Sequence, residues 1–63
     1  MTPDQFRSAI AKLGLSQERA GLWLGVSARQ GQRYATGDAP IPDGFAKLLR
    51  LVIRFGLTPE DVR

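Results

Sequence analysis

A chain of 63 residues makes one domain, spanning 1–63, and buries only about 60% of the surface its unfolded form exposes, so it has room for a single core. It contains no cysteine and no histidine, which excludes a disulfide framework and removes the usual zinc ligands and the commonest general base. Nine basic and six acidic residues give a net charge of +3, and the excess is unevenly placed: from Arg19 to Gly37 the chain carries Arg19, Arg29 and Arg33 and no acid. A local surplus of arginine is the footprint of a surface that meets phosphates. No cofactor, metal, small-molecule substrate or catalytic residue is therefore expected, and the chain is not expected to be an enzyme.

In chain order, Thr2-Pro3-Asp4-Gln5 predicts an N-cap, a proline at the first helical position and a capping-box partner, with Phe6, Ile10 and Leu13 following at helical spacing. Gly14 ends this helix. Ser16 caps a second helix, predicted over Gln17 to Leu24 and stopped by Gly25. Ser27 caps a third, from Ala28 to about Ala35. The run from Thr36 to Pro42, with Gly37, Pro40 and Pro42, reads as a loop. A fourth helix is predicted from about Asp43 to Phe55, with Gly56 at its end. Thr58-Pro59-Glu60-Asp61 repeats the opening of the first helix. Asp4, Glu18, Glu60 and Asp61 fall in first turns, where an acid favours the helix dipole, so no catalytic carboxylate pair is needed to explain them. The apolar stretch from Phe45 to Leu57 is interrupted by Lys47, Arg50 and Arg54 and is too short to span a bilayer. With no apolar signal core at the N-terminus either, a soluble, cytoplasmic protein is expected and no membrane association.

The segment from Gln17 to Tyr34 sets two short helices around Gly25-Val26-Ser27, the spacing of a helix-turn-helix. Its physical demands are met: small Gly21 where the helices approach, glycine at the turn, apolar Val26 at the corner and a serine cap on the second helix. At 100° per residue Arg29, Gln32 and Arg33 share one side of the third helix, while Gly31 and Tyr34 point the other way. Arginines one turn apart on a protruding helix suit bidentate bonding to guanine O6 and N7. Gln30 and Gln32 suit adenine or a phosphate. Ala28 either touches a thymine methyl or leaves space.

These residues resemble the phage repressor and Cro-type (Xre-like) helix-turn-helix family. The likeness rests on Leu15-Ser16-Gln17 opening the second helix, Leu24-Gly25-Val26-Ser27 at the turn and Tyr34 shortly before Gly37, and it covers nearly the whole chain. It implies an all-α, lambda-repressor-like bundle of four to five helices. The implied function is that of a phage or bacterial regulator, most simply a repressor, bound to double-stranded operator DNA of palindromic form. Carried over by position, Ala28, Arg29, Gln32 and Arg33 would read bases, with Gln17 on the phosphate backbone. Ser16, Ser27, Gln30 and Thr36 are further phosphate candidates, the two serines serving first as caps and Thr36 belonging to the turn. The alternative is a degenerate helix-turn-helix turned to protein interaction, an antirepressor module, for which Gly31 and the apolar pair Leu22 and Trp23 are the supporting features.

Two features depart from the family or exceed a monomer's needs. Gly31 stands where the family has a branched apolar residue, so the site is a cavity, is filled by a neighbour, or is a backbone approach too close for a β-carbon. Trp23 on the preceding helix is the expected occupant. The apolar residues Phe45, Leu48, Leu49, Leu51, Val52, Ile53 and Phe55 cover about 200° of the fourth helix, twice the stripe that one core needs. A homodimer interface built on Leu51, Phe55, Leu57 and Val62 is expected to take the surplus, as C-terminal helices often do in the family. The competing arrangement folds Leu57 to Val62 back over it.

Overall fold

The computed structural model describes residues 1–62, and these form four α-helices and no strand. Helix α1 covers Pro3–Lys12, α2 covers Gln17–Trp23, α3 covers Ala28–Thr36 and α4 covers Asp43–Arg54, followed by one 3-10 turn at Pro59–Asp61. No helix among the described residues is long and apolar enough to cross a membrane.

The helix starts are made locally. The Thr2 hydroxyl accepts from the Gln5 amide at 3.1 Å while the Gln5 side chain accepts from the Thr2 amide at 2.9 Å, closing the capping box. Ser16 and Ser27 accept from the amides of Arg19 and Gln30, at 3.2 and 3.0 Å. The ends shift slightly from the sequence reading. Leu24 and Phe55 are caps and not helical residues, because each precedes a glycine that has already turned left-handed. At Gly25 (φ 89°) this reversal closes with a 2.9 Å bond from the Val26 amide to the Gly21 carbonyl, which leads the chain from α2 directly into α3.

Thr36 was expected in the loop, but it completes the last turn of α3. The left-handed residue is Gly37, one position later, and the Asp38 amide closes the end on the Arg33 carbonyl at 2.9 Å. A long-range link secures the same end. The guanidinium of Arg7, paired with Asp4 on its own helix, donates to the Ala35 carbonyl and ties α1 to the C-terminus of α3.

The core lies where α1, α3 and α4 meet. Phe6, Ala9, Ile10, Ala20, Tyr34, Ala35 and Leu49 are buried together. Tyr34 sits edge-on between two phenyl rings, 5.9 Å from Phe6 and 6.1 Å from Phe45 between centroids, an arrangement worth about 0.5–1.5 kcal/mol per pair beyond the buried area. It fixes the inner side of α3 and so the direction in which the outer side faces.

Between α2 and α3 the packing is of a different kind, since two glycines meet there. A β-carbon on Gly31 would overlap the Gln17 carbonyl oxygen and lie 2.7 Å from the nitrogen and 2.8 Å from the Cα of Gly21. A β-carbon on Gly21 would overlap the Ser27 carbonyl oxygen and lie 2.8 Å from the Gly31 nitrogen. Each glycine thus faces the carbonyl four residues before the other, and the two backbones touch without a side chain between them. The space opposite Gly31 is filled by the backbone of α2, not by Trp23 as expected.

The Trp23 indole turns instead to the end of the chain. Its Nε1–H donates to the carbonyls of Pro59 at 2.9 Å and Val62 at 3.0 Å. The physical cause is that a half-buried indole N–H needs an acceptor, and the 3-10 turn and the residue after it supply one each. The C-terminal segment therefore docks on α2 through Trp23 and leaves Leu51 of α4 and its cap residue Phe55 exposed. Trp23→Phe keeps a ring in place and removes the donor. It should lower stability by about 1 kcal/mol and speed exchange of the Asp61 and Val62 amides more than that of the core amides; protection retained at these two amides would show that the two bonds do not hold the segment.

Candidate functional site

The exposed side of α3 gathers the side chains that the sequence marks out. Arg29, Gln32 and Arg33 are exposed, Ala28 and Gln30 half-buried, and Gly31, Tyr34 and Ala35 buried on the reverse side. Arg29 and Arg33 stand one helical turn apart, and no ion pair engages either of them among the described residues. Arg7 differs, being committed to Asp4 and to the Ala35 carbonyl.

The residues expected at phosphates surround this side unequally. Ser16 and Ser27 open α2 and α3, each with its oxygen accepting a capping bond and its own hydroxyl proton free to donate outward. Gln17, half-buried, starts α2 with its carbonyl against Gly31. Thr36 sits at the opposite end of α3. Its hydroxyl proton is directed at the Arg33 carbonyl, 3.3 Å away, so a phosphate there would have to displace an internal bond.

Gln32 is not free either. Its Nε2 donates to Oε1 of Glu18 at 2.9 Å, across from α3 to α2. Because a carboxylate oxygen only accepts, the bond also determines which end of the amide faces Glu18. Sequence reasoning placed Glu18 as a first-turn acid and missed this partnership. The two residues are 14 apart in the chain, and only the touching glycine backbones bring them together: Gln17 lies against Gly31, so their neighbours Glu18 and Gln32 meet.

Two apolar surfaces lie outside this side. Leu51, Phe55 and Leu57, at the end of α4, are 44%, 66% and 40% exposed, with the Arg54 guanidinium 5.9 Å above the Phe55 ring. Val62 is half-buried and its carbonyl is held by Trp23. Leu22, 62% exposed, borders a groove of about 360 Å³ formed with Leu15, Arg19, Trp23, Pro59 and Glu60.

Comparison with known proteins gives no matching family model, no matching curated protein and no matching solved structure.

Proposed function

We propose that this chain is a sequence-specific double-stranded DNA-binding regulator of transcription, a cytoplasmic, non-enzymatic protein of the lambda-repressor-like helix-turn-helix kind, in which α3 enters the major groove. The observation that carries the reading is the pair of exposed arginines, Arg29 and Arg33, set one turn apart without ion-pair partners among the described residues, on a helix whose other side is anchored in the core. Unpaired arginines on a rigid, protruding helix match both guanine edges and phosphates, and the groove, about 12 Å wide, admits one helix. Gln17 and the hydroxyls of Ser16 and Ser27 would supply the contacts to the phosphate backbone. Bound over a promoter or operator, such a protein represses by occupancy.

The test is a titration of duplex DNA at several salt concentrations, followed by selection of bound sites from random duplexes. Neutralising only two phosphates makes affinity fall about tenfold between roughly 50 and 200 mM salt. Binding that ignores salt, or selection that yields no motif, would end the proposal.

The proposed assembly is a homodimer through Leu51, Phe55 and Leu57, with Val62 at its margin, because these apolar side chains stay exposed after the C-terminal segment has docked on α2. Half-sites would then lie about one DNA turn apart around a two-fold axis. Leu51→Glu places a charge on that surface outside the core, so it should weaken operator binding at least about tenfold, ~1.4 kcal/mol, and shift sedimentation to the monomer, with the melt unchanged at concentrations where the wild type is also monomeric. An unchanged sedimentation profile with full operator affinity would remove these residues from the interface.

A second reading, a protein-interaction or antirepressor module, draws on exposed Leu22 beside the Trp23 groove. It loses its other support, because Gly31 is tightly packed and not a decayed core position.

A further inference from the structure

We infer that Glu18 is a positioning residue that orients the Gln32 amide to read an adenine, an inference that rests on the DNA-reading role proposed for α3. Gln32 is exposed, and an exposed glutamine turns freely about its last torsion, so its amide presents oxygen and nitrogen in either order. The 2.9 Å bond from Nε2 to Glu18 removes that freedom, since the carboxylate takes a hydrogen and has none to give.

One N–H of the amide is thereby occupied. With the N–H anti to the carbonyl making that bond, the carbonyl oxygen and the syn N–H, which lie side by side on the opposite edge, stay available. Adenine offers N7 as acceptor beside N6–H as donor, the complement of that edge, whereas guanine offers two acceptors, N7 and O6, and would leave the amide oxygen facing another oxygen. A side chain held in its bound orientation loses less freedom on binding, so the preference for adenine is strengthened without a contact between Glu18 and DNA.

The carboxylate has a second effect of opposite sign. A negative charge beside the reading helix repels phosphates, so Glu18 lowers affinity for every sequence while raising discrimination at one base pair. This opposition separates a positioning role from a merely electrostatic one.

The experiment selects bound sites from random duplexes with the wild type, Glu18→Ala, Glu18→Gln and Gln32→Ala, and measures affinity for an unrelated duplex with each. Both side chains are exposed, so all four proteins should melt alike. In the wild type one base pair per half-site should be A·T, and its preference should fall about threefold or more in Glu18→Ala. The same pair should relax in Gln32→Ala, and in Glu18→Gln the preference should fall between wild type and Glu18→Ala, because its amide accepts from Gln32 but can also donate to it and so leaves the amide free to turn over. Glu18→Ala should bind the unrelated duplex more tightly. The inference is overturned if Glu18→Ala keeps every preference, if Glu18→Gln keeps the full wild-type preference, or if Gln32→Ala relaxes a different pair; in each case DNA reading itself stands. A wild type that selects no motif overturns both.

Discussion

Gly31→Ala should lower stability by about 1–3 kcal/mol, toward the upper end of what overpacking costs. Two effects oppose each other at this position. Replacing a mid-helix glycine by alanine favours the helix by about 0.5–1 kcal/mol, and in a loosely packed site that gain would prevail. Here the new methyl group would overlap the Gln17 carbonyl oxygen and crowd the nitrogen and Cα of Gly21. These are backbone atoms, so no rotamer change relieves them and α2 and α3 must move apart. In a domain this small each kcal/mol corresponds to about 4–8 °C in Tm, so thermal melts resolve the change. Gly21→Ala should behave similarly, because its β-carbon meets the Ser27 carbonyl and Gly31. Adding Trp23→Ala should not relieve the penalty, as the indole is engaged with Pro59 and Val62. A Gly31→Ala protein that melts at or above the wild-type temperature would refute the close approach.

What the sequence makes legible follows from the range of the interactions concerned. The starts of α1, α2 and α3 were readable because Thr2, Ser16 and Ser27 each bond an amide three residues on, a contact that the chain encodes within one turn. The division of α3 into an arginine side and a buried side was readable from helical period alone. Gly31 was recognisable as an anomaly, Gly21 as the small residue where the helices approach, and a close backbone as one of three readings, but nothing in side-chain types chose between that backbone and Trp23, the bulkiest neighbour and the expected occupant. The destination of Trp23 was hidden for a related reason, since its acceptors are main-chain carbonyls 36 and 39 residues away that any residue would present. The Glu18–Gln32 bond depends on the glycine contact and could not be read before it.

The glycine pair thereby links stability to the site. A branched residue at position 31 would hold α2 and α3 apart by the depth of a side chain, whereas glycine at both 21 and 31 lets them touch and brings Glu18 within reach of Gln32. Gly31→Ala should therefore disturb base preference at the pair read by Gln32 before it abolishes DNA binding, because a lateral shift of α3 breaks a 2.9 Å bond more readily than it removes two long arginines from a groove.

Arg29→Ala and Arg33→Ala should each weaken specific DNA binding by about 1–3 kcal/mol, roughly 5- to 150-fold, and each should relax preference at one base pair per half-site. Neither arginine is part of the core or of an ion pair among the described residues, so melts should stay within about 0.5 kcal/mol of wild type. The lysine variants separate two roles that alanine confounds. Lysine keeps the charge but not the planar fork, so a residue that reads guanine bidentately should lose base preference in Arg→Lys while the salt dependence of binding persists. A residue that only neutralises a phosphate should keep its preference with lysine and lose about one unit of salt slope with alanine. If the arginines contact separate base pairs, the double alanine variant should lose close to the sum of the single effects. Selected motifs and affinities identical to wild type in both single alanine variants would leave α3 without its arginine readers and remove the observation on which the DNA-binding proposal rests.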